Sequence, residues 1–253
     1  MLRKLALGTL ASALLAAGGL PGQDGVVGRS YLITPKLGMD DQFEAALSTH
    51  AALRRAEMDP WTWHVYTIET GEDAGAYFII SGSHAWSDFD AYDASLPFQQ
   101  RVGQHWSTTM APLVGEWSSM LTKVDTSLSA LPPAMAQPSA FVNVTGFRIR
   151  PGMERQFFGA VAQAHTALRG AGWPQRYAWV YPVSGHDDGP IAWLVTYHAS
   201  WADMAEPDPS FDAVLTRALG AAGFSKWSDH FGATLRGTTY ATLRFRPGLS
   251  VIR

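Results

Sequence analysis

The chain contains no cysteine among its 253 residues. This absence excludes disulfide bonds, thiolate metal ligands, a cysteine nucleophile and lipid attachment through an N-terminal cysteine. An exported chain of this kind must be stabilised by its hydrophobic core. At 47% hydrophobic residues, the chain is long enough and apolar enough to build one.

Charged residues are also few, at 16% of the chain, with a net charge of −3. An ordinary soluble domain has about 25% charged residues. Because there is no basic excess, electrostatics give no reason to expect nucleic acid or an anionic membrane as a partner. The sequence therefore predicts no nucleic-acid partner.

The N-terminal apolar run is too short to cross a membrane. It covers residues 5–15, follows the basic Arg3 and Lys4, and precedes the small residues 16–19. A membrane helix needs about 20 apolar residues, whereas this pattern is typical of a secretory signal. We predict a signal peptide over residues 1–24, a periplasmic or secreted protein, and no membrane attachment after cleavage. An uncleaved anchor is the alternative.

Two phrases occur twice in the chain. "KLGMDDQF" from Lys36 is answered by "RPGMERQF" from Arg150, 114 residues later, and "HAALRRA" from His50 by "HTALRGA" from His165, 115 residues later. The change of offset predicts a one-residue insertion inside a helix, absorbed as a π-bulge, or a different helix start. Repeats of this length predict a tandem duplication. The repeats would cover residues 25–125 and 140–253, joined by a Pro-rich linker over 126–139.

Each copy has the same order of hydrophobic patterns. A strand ends at a glycine turn and is followed by an amphipathic helix, two strands joined by a Gly/Asp hairpin, a less periodic helical stretch and a last strand. The order β-α-β-β-α-β is the ferredoxin-like unit. Tyr177, Trp179 and Tyr181 alternate with Ala178 and Val180, so neither face of that strand is polar. We therefore predict an α+β fold in which two tandem ferredoxin-like repeats pack sheet to sheet as an intrachain α/β barrel, a pseudo-dimer within a monomer. A further homo-oligomer stays open.

The helix-opening "GMxxQF" after a strand, the β-α-β-β hairpin and the tandem arrangement resemble the dimeric α/β-barrel superfamily. That group includes the NIPSNAP-like, antibiotic-biosynthesis-monooxygenase-like and EthD-like domains. The resemblance covers residues 26–125 and 140–250 and implies a ligand pocket between the sheet and the helices that cover it. It also implies that some relatives bind or degrade haem through an Asn, a Trp and a His. Asn143, Trp193 and His230 match those positions roughly.

Two histidines on the inner faces of the first helices are the candidate catalytic groups, His50 and His165. An imidazole in a pocket can act as a general base or bind a ligand. The alternative is a core histidine whose nitrogens are hydrogen-bonded internally. Aromatic and histidine side chains on the strands are the candidate pocket lining: Trp63, Tyr66, His84, Trp179, Tyr181, Trp193 and His198.

No metal-binding motif occurs in the sequence, since HExxH and Ca²⁺-loop patterns are both missing. We predict no metal and no cofactor, with haem as the weaker alternative. Three functions stay open. The first is binding of a small apolar or aromatic ligand, the second a cofactor-independent monooxygenase- or isomerase-like enzyme using a pocket histidine, and the third a protein-interaction scaffold. Whether the chain is an enzyme is left undecided by the sequence.

Overall fold

The computed structural model describes residues 27–131, 138–186 and 188–252. The predicted signal peptide and the middle of the predicted linker, residues 132–137, lie outside the described residues. In the first half the elements are β1 (Val27–Pro35), α1 (Asp40–Ala56), β2 (His64–Ile68), β3 (Tyr77–His84), α2 (Trp86–Asp93), α3 (Leu96–His105) and β4 (Val114–Ala130). In the second half they are β5 (Phe141–Ile149), α4 (Glu154–Gly170), β6 (Tyr177–Ser184), β7 (Ile191–His198), α5 (Phe211–Leu219), α6 (Ala221–Ala233) and β8 (Leu235–Phe245).

The repeated glycine turn opens the first helix of each half. Gly38 and Gly152 have φ angles of +77° and +84°, which glycine adopts without a steric cost. Acidic residues follow in the first turn and arginines stand in the last turn of both helices, where they complement the helix dipole. The sequence pattern therefore predicted both helix starts.

The eight strands form one closed barrel in the order β1-β3-β2-β8-β5-β7-β6-β4. Every pairing in it is antiparallel. Each half contributes a four-stranded sheet with the same order, β4-β1-β3-β2 and β8-β5-β7-β6. The two sheets face each other across the interior, and their edges are also hydrogen-bonded, β2 to β8 and β4 to β6. The mixed α+β barrel is confirmed, whereas the common origin of the halves stays a prediction.

The barrel interior is filled by the inward-facing side chains of both sheets. The predicted alternation on β6 is confirmed, because Ala178 and Val180 lie in the interior core while Tyr177 and Trp179 pack on the outside. Tyr66 on β2 also lies in the interior core. Closing the barrel buries both faces of each sheet, as the mixed polarity of the strands predicted.

Tyr66 and Tyr181 are 115 residues apart, as His50 and His165 are, but they are not structural equivalents. Tyr66 pairs with Phe78 across one hairpin, 12 residues on, while Val180 pairs with Trp193 across the other, 13 residues on. The inserted residue therefore lies in the β6–β7 hairpin, not in a helix. A shift of one residue turns a strand side chain to the opposite face, so Tyr181 lies outside the barrel, against Phe158.

The two first helices are uninterrupted and have the same register. Both contain 17 residues and start 114 residues apart, at Asp40 and Glu154. The predicted π-bulge in the helix is therefore wrong, and so is the alternative of a different start. The residue that corresponds to His50 is Ala164, and His165 stands one position further round its helix. A π-helical turn does occur elsewhere, at Trp106–Met110 directly after α3.

Helices cover the outer face of each sheet and create two further cores. In the first half, α1, α2 and α3 pack on the sheet around Phe43, Trp61 and Val102. In the second half, α4 and α5 pack around Phe157 and Leu215, and α6 lies beside them with aromatic residues that are only partly buried. Each half thus has a layer of helices over its own sheet, and the C-terminal residues Leu249 and Val251 pack into the first-half core.

Gly146 on β5 allows the closest approach inside the barrel. A Cβ at this position would lie 2.5 Å from Thr239 Oγ1 and 3.3 Å from the indole of Trp193. Trp193 is 1% exposed, so it has little room to move. We expect Gly146→Val to lower the free energy of unfolding by about 1–3 kcal/mol through overpacking, measured by urea denaturation. Gly159→Val on α4, where no atom lies within 4 Å, is the control for a substituted glycine.

No helix among the described residues is long and apolar enough to span a bilayer.

The last strand of the first half is longer than its sequence pattern indicated. It continues to Ala130, which pairs with Tyr177 on β6. Part of the segment predicted as linker therefore closes the barrel.

Candidate functional site

A cavity of about 280 Å³ lies in the first half, between the outer face of the sheet and helices α1 and α3. Its walls are mostly aromatic and aliphatic, with a few polar groups on the helix side. The aromatic walls are Tyr31, Trp63, Trp106 and Trp117, and the polar groups are His50, Arg54 and Gln99. We call this space the first-half cavity.

A buried ion pair fixes the polar side of the first-half cavity. Asp59 is 1% exposed and pairs with Arg54. The same carboxylate accepts hydrogen bonds from Trp61 N at 2.9 Å and Trp63 Nε1 at 3.0 Å, while Arg54 also donates to Tyr92 Oη. Since the pair is desolvated and hydrogen-bonded on both sides, it holds the guanidinium in one place. The guanidinium lies over the Trp63 ring, 5.1 Å from its centroid.

His50 links that ion pair to a second histidine. Arg54 Nε donates to His50 Nε2 at 3.0 Å, and His50 Nδ1 lies 3.0 Å from His105 Nδ1 on α3. A guanidinium has only donors, so His50 Nε2 must carry a lone pair and Nδ1 the proton. His50 therefore donates to His105 Nδ1, and neutral His105 carries its own proton on Nε2.

The surroundings keep His50 neutral. It is 4% exposed, and its burial, followed by the charge of Arg54 and the neighbouring His105, lowers its pKa to about 3. His105 is partly exposed at the end of α3. The two imidazoles thus form a hydrogen-bonded chain from the cavity wall to a residue that reaches the surface.

A second pocket of about 390 Å³ lies in the second half, between the outer face of β5, β6 and β7 and helices α4, α5 and α6. We call this space the second-half pocket. Its walls are almost wholly apolar, and seven of the lining side chains are aromatic: Phe147, Trp173, Tyr177, Trp179, Phe211, Trp227 and Phe231. Trp227 and Phe231 stack on α6 with an interplanar angle of 8°.

His165 stands at the polar end of the second-half pocket. Tyr177 Oη lies 2.9 Å from His165 Nδ1, and the backbone of Leu128 forms a further hydrogen bond with the ring. Burial and the nearby Arg169 charge lower the pKa of His165. Burial raises the pKa of Tyr177 to about 12, so its hydroxyl stays protonated near neutral pH. The pair offers one polar anchor in an apolar space.

The predicted pocket residues do not share one space. Trp63 lines the first-half cavity, and Trp179 lines the second-half pocket. Tyr66 and Trp193 point into the barrel, where the Tyr66 hydroxyl and the Trp193 indole nitrogen have no hydrogen-bond partner among the described residues. Tyr181 borders a shallow groove beside Asp125. The structure brings together only Trp63 with His50, and Trp179 with His165.

His84 and His198 occupy equivalent places at the ends of β3 and β7. A bulge on β3, with Ser83 at φ +66°, absorbs the residue that separates them in the repeat. His84 bonds to Ser81 Oγ and stacks on Trp61, and burial lowers its pKa. His198 Nδ1 donates to the Asp203 carbonyl, with Thr196 Oγ1 at its other nitrogen. Both rings are held by local hydrogen bonds at the strand ends.

The residues proposed for haem do not converge. Asn143 faces outward from β5, where its amide oxygen accepts a hydrogen bond from Thr242. Trp193 faces the barrel interior, and His230 is exposed on α6. These three side chains therefore offer no common haem site. Within residues 27–131, 138–186 and 188–252, no three His, Asp or Glu side chains are placed to hold a metal ion.

Sequence reasoning missed several residues that shape the two spaces. Nothing in the sequence places His105 or Asp59 against α1. The aromatic residues of α6 could have been found, since Phe224, Trp227 and Phe231 follow a spacing of three and four. The i, i+4 spacing of His50 and Arg54 was a second available signal.

No protein-family model matches the sequence, and no curated protein matches it either. Solved structures with the same fold do exist. A provisionally assigned monooxygenase from Fusobacterium nucleatum is 10% identical, with 88% of this chain and 94% of that chain covered and a TM-score of 0.55. An anthrone oxidase-like protein is 11% identical, with 88% and 92% covered and a TM-score of 0.51. A provisionally assigned monooxygenase from Lactobacillus acidophilus NCFM is 8% identical, with 87% and 94% covered and a TM-score of 0.50. Identities this low show a shared fold alone.

Proposed function

We propose that the chain binds a small, planar, apolar or aromatic molecule in the second-half pocket. The observation that carries the proposal is the lining itself, in which seven aromatic side chains surround a space with one polar end at His165 and Tyr177. Aromatic walls stack on planar ligands and discriminate poorly among polar ones. A water molecule there would find few of the two to four polar partners that it needs.

The size of the pocket sets the size of the ligand. A buried apolar cavity of about 150 Å³ is enough for benzene. The second-half pocket, at about 390 Å³, therefore suits a compound of two or three fused rings. Trp227 and Phe231 on α6 are only partly buried, so a ligand would also cover apolar surface that now contacts solvent.

A cofactor-independent monooxygenase- or isomerase-like enzyme is the alternative, and the fold likeness to provisionally assigned monooxygenases supports it. Such an enzyme needs a group that takes a proton from its substrate. His165 is poorly suited to this role because Tyr177 and the Leu128 backbone already occupy it. Membership in the NIPSNAP-like or EthD-like groups stays a prediction of the resemblance.

Naphthalene titration of the folded protein tests the proposal. We expect naphthalene to quench tryptophan fluorescence saturably, because Trp173, Trp179 and Trp227 line the pocket. Ala164→Phe places a ring in the pocket from α4 and should weaken binding by about tenfold or more, or about 1.4 kcal/mol. Ala51→Phe, which fills the first-half cavity from α1, is the matched control and should leave naphthalene binding unchanged. Equal affinity in both variants would overturn the assignment.

The polar anchor has its own comparison within that titration. 2-Naphthol should bind more tightly than naphthalene, and Tyr177→Phe should remove that preference while retaining naphthalene.

We place the mature protein outside the cytoplasm, as a monomer whose two halves form one barrel. An interaction scaffold is the remaining alternative, for which the exposed Trp86 and Trp201 are the side chains to substitute first.

A further inference from the structure

The first-half cavity differs from the second-half pocket in one chemical respect. Its wall combines a fixed cation, Arg54, with a neutral imidazole, His50, that is hydrogen-bonded to a second imidazole. In the second half, Ala164 occupies the helix position that corresponds to His50. We propose that the first-half cavity is a proton-transfer site for a small hydroxyaromatic compound, in which His50 accepts the ligand's proton and His105 passes it to solvent.

The hydrogen-bonded chain has the direction that such a relay needs. Arg54 fixes a lone pair on His50 Nε2, which leaves the His50 Nδ1 proton on the hydrogen bond to His105 Nδ1. The remaining nitrogen of His105, Nε2, carries the outer proton. A proton that enters at His50 Nε2 can therefore leave at His105 Nε2 with no change in the charge of either ring.

The step balances as a transfer of one proton. Arg54 Nε passes its hydrogen bond from His50 Nε2 to the ligand oxygen, while Nη1 stays on Asp59 and Tyr92. The ligand O–H bond breaks as an Nε2–H bond forms on His50. The Nδ1–H bond of His50 breaks as Nδ1–H forms on His105, and the Nε2–H bond of His105 breaks to release a proton to water. The products are the bound aromatic oxyanion and one solvated proton, and transfer in reverse restores the chain.

Arg54 is placed to stabilise that oxyanion. Its Nη1 is used by Asp59 and Tyr92, and Nε contacts His50, which leaves Nη2 with no hydrogen bond to a described residue. Asp59 holds the guanidinium at the cavity wall, so little reorganisation is needed when negative charge develops. The charged and titratable groups around the two histidines are Arg54 on α1, Asp59 after it, Tyr92 on α2 and the ion pair between Glu57 and Arg101 on α3.

The walls restrict the ligand to a compact aromatic. The cavity of about 280 Å³ is less than twice the space that holds benzene, which suits a single substituted ring. Trp63, just before β2, and Trp106, in the turn after α3, both line the cavity. Trp117 also lines it and is 61% exposed, so the cavity borders solvent there. A phenol with one small substituent meets these limits.

4-Nitrophenol is the probe, because its phenolate absorbs at a longer wavelength than the phenol. Binding to the wild-type protein should lower the apparent pKa of the probe by about one unit or more, owing to the Arg54 charge. Ala51→Phe should abolish this shift, while Ala164→Phe should keep it. A probe that binds with no shift, or whose shift disappears only in Ala164→Phe, would overturn the site.

His105→Phe tests the relay. After a pH jump, the bound phenolate should form about tenfold or more slowly in this variant than in the wild type. Binding of 4-nitroanisole, which has no proton to transfer, should be unchanged, and this shows that the cavity is intact. His105→Gln, which restores a polar side chain without a relay, should be as slow as His105→Phe. Equal rates in the wild type and both variants would show that His105 carries no proton. None of these readouts depends on naphthalene binding in the second half.

Discussion

Asp59→Ala should lower the free energy of unfolding by about 3–5 kcal/mol, the cost of leaving one member of a buried ion pair without its partner. Asp59 is 1% exposed and accepts hydrogen bonds from two indole-bearing residues, Trp61 through its backbone and Trp63 through its ring. Its removal therefore leaves the Arg54 charge and two buried N–H donors unsatisfied. Urea denaturation at neutral pH measures the change.

Two further variants separate this effect from a general loss of structure. Asp88→Ala removes a half-exposed carboxylate that caps the backbone of Ala85 and lies 4.0 Å from His84 Nδ1, so it should cost about 1 kcal/mol. The double variant Asp59→Ala with Arg54→Met removes both charges and should recover a large part of the loss. A cost below about 1 kcal/mol for Asp59→Ala, or no recovery in the double variant, would show that the pair does not organise the first half.

Acidification should destabilise the protein between pH 6.5 and pH 4 through two buried histidines. Burial lowers the pKa of His64 to about 4, and burial with the Arg54 charge lowers that of His50 to about 3. In the unfolded chain both would titrate near 6.5, so the unfolded state binds more protons across this range and stability falls with the pH. Each histidine contributes up to about 1.4 kcal/mol per pH unit.

One carboxyl opposes this trend. Burial, together with the neighbouring Glu72 and Glu116, raises the pKa of Asp73 to about 6. The folded state therefore takes up this proton first, which adds stability as the pH falls through 6. Because one carboxyl opposes several histidines, stability should still fall with the pH between pH 6 and pH 4, and a comparison of variants is cleaner than the wild-type curve alone.

His64→Phe isolates one histidine. The ring lies inside the barrel and contacts only Phe245 among the aromatic residues, so phenylalanine suits the site. At pH 5 the variant should gain about 2 kcal/mol of stability relative to its difference from wild type at pH 7.5. Parallel pH profiles for wild type and His64→Phe would contradict a neutral, buried His64.

The sequence was sufficient for the local elements and insufficient for their lateral contacts. The glycine turns, the helix stripes and the strand alternation are local patterns, and they predicted the element order and the burial of both sheet faces. The edge pairings of β2 with β8 and of β4 with β6 join residues at least 47 positions apart. A local pattern carries no information about such pairings, so the sheet-to-sheet packing could be predicted from the buried faces but the edge pairings could not.

The candidate site shows the same limit in finer detail. His50 and His165 were both predicted from their places on the inner faces of the first helices. The repeated phrase does not place the two histidines at equivalent positions, since the extra residue lies in the β6–β7 hairpin and not in a helix. The His105 contact with His50 depends on the way α3 packs against α1, and the two residues are 55 positions apart. Only the folded chain joins Arg54, His50 and His105 by hydrogen bonds.

The most direct test of the second-half pocket as a ligand site is the anomalous scattering of a crystal of the mature protein soaked with 2-bromonaphthalene. We expect a bromine peak outside the barrel, between α6 and the outer face of the second sheet, in contact with Trp179 and Trp227. A bromine peak inside the barrel or only in the first-half cavity, or no peak in crystals that diffract after the soak, would contradict a second-half pocket for aromatic ligands.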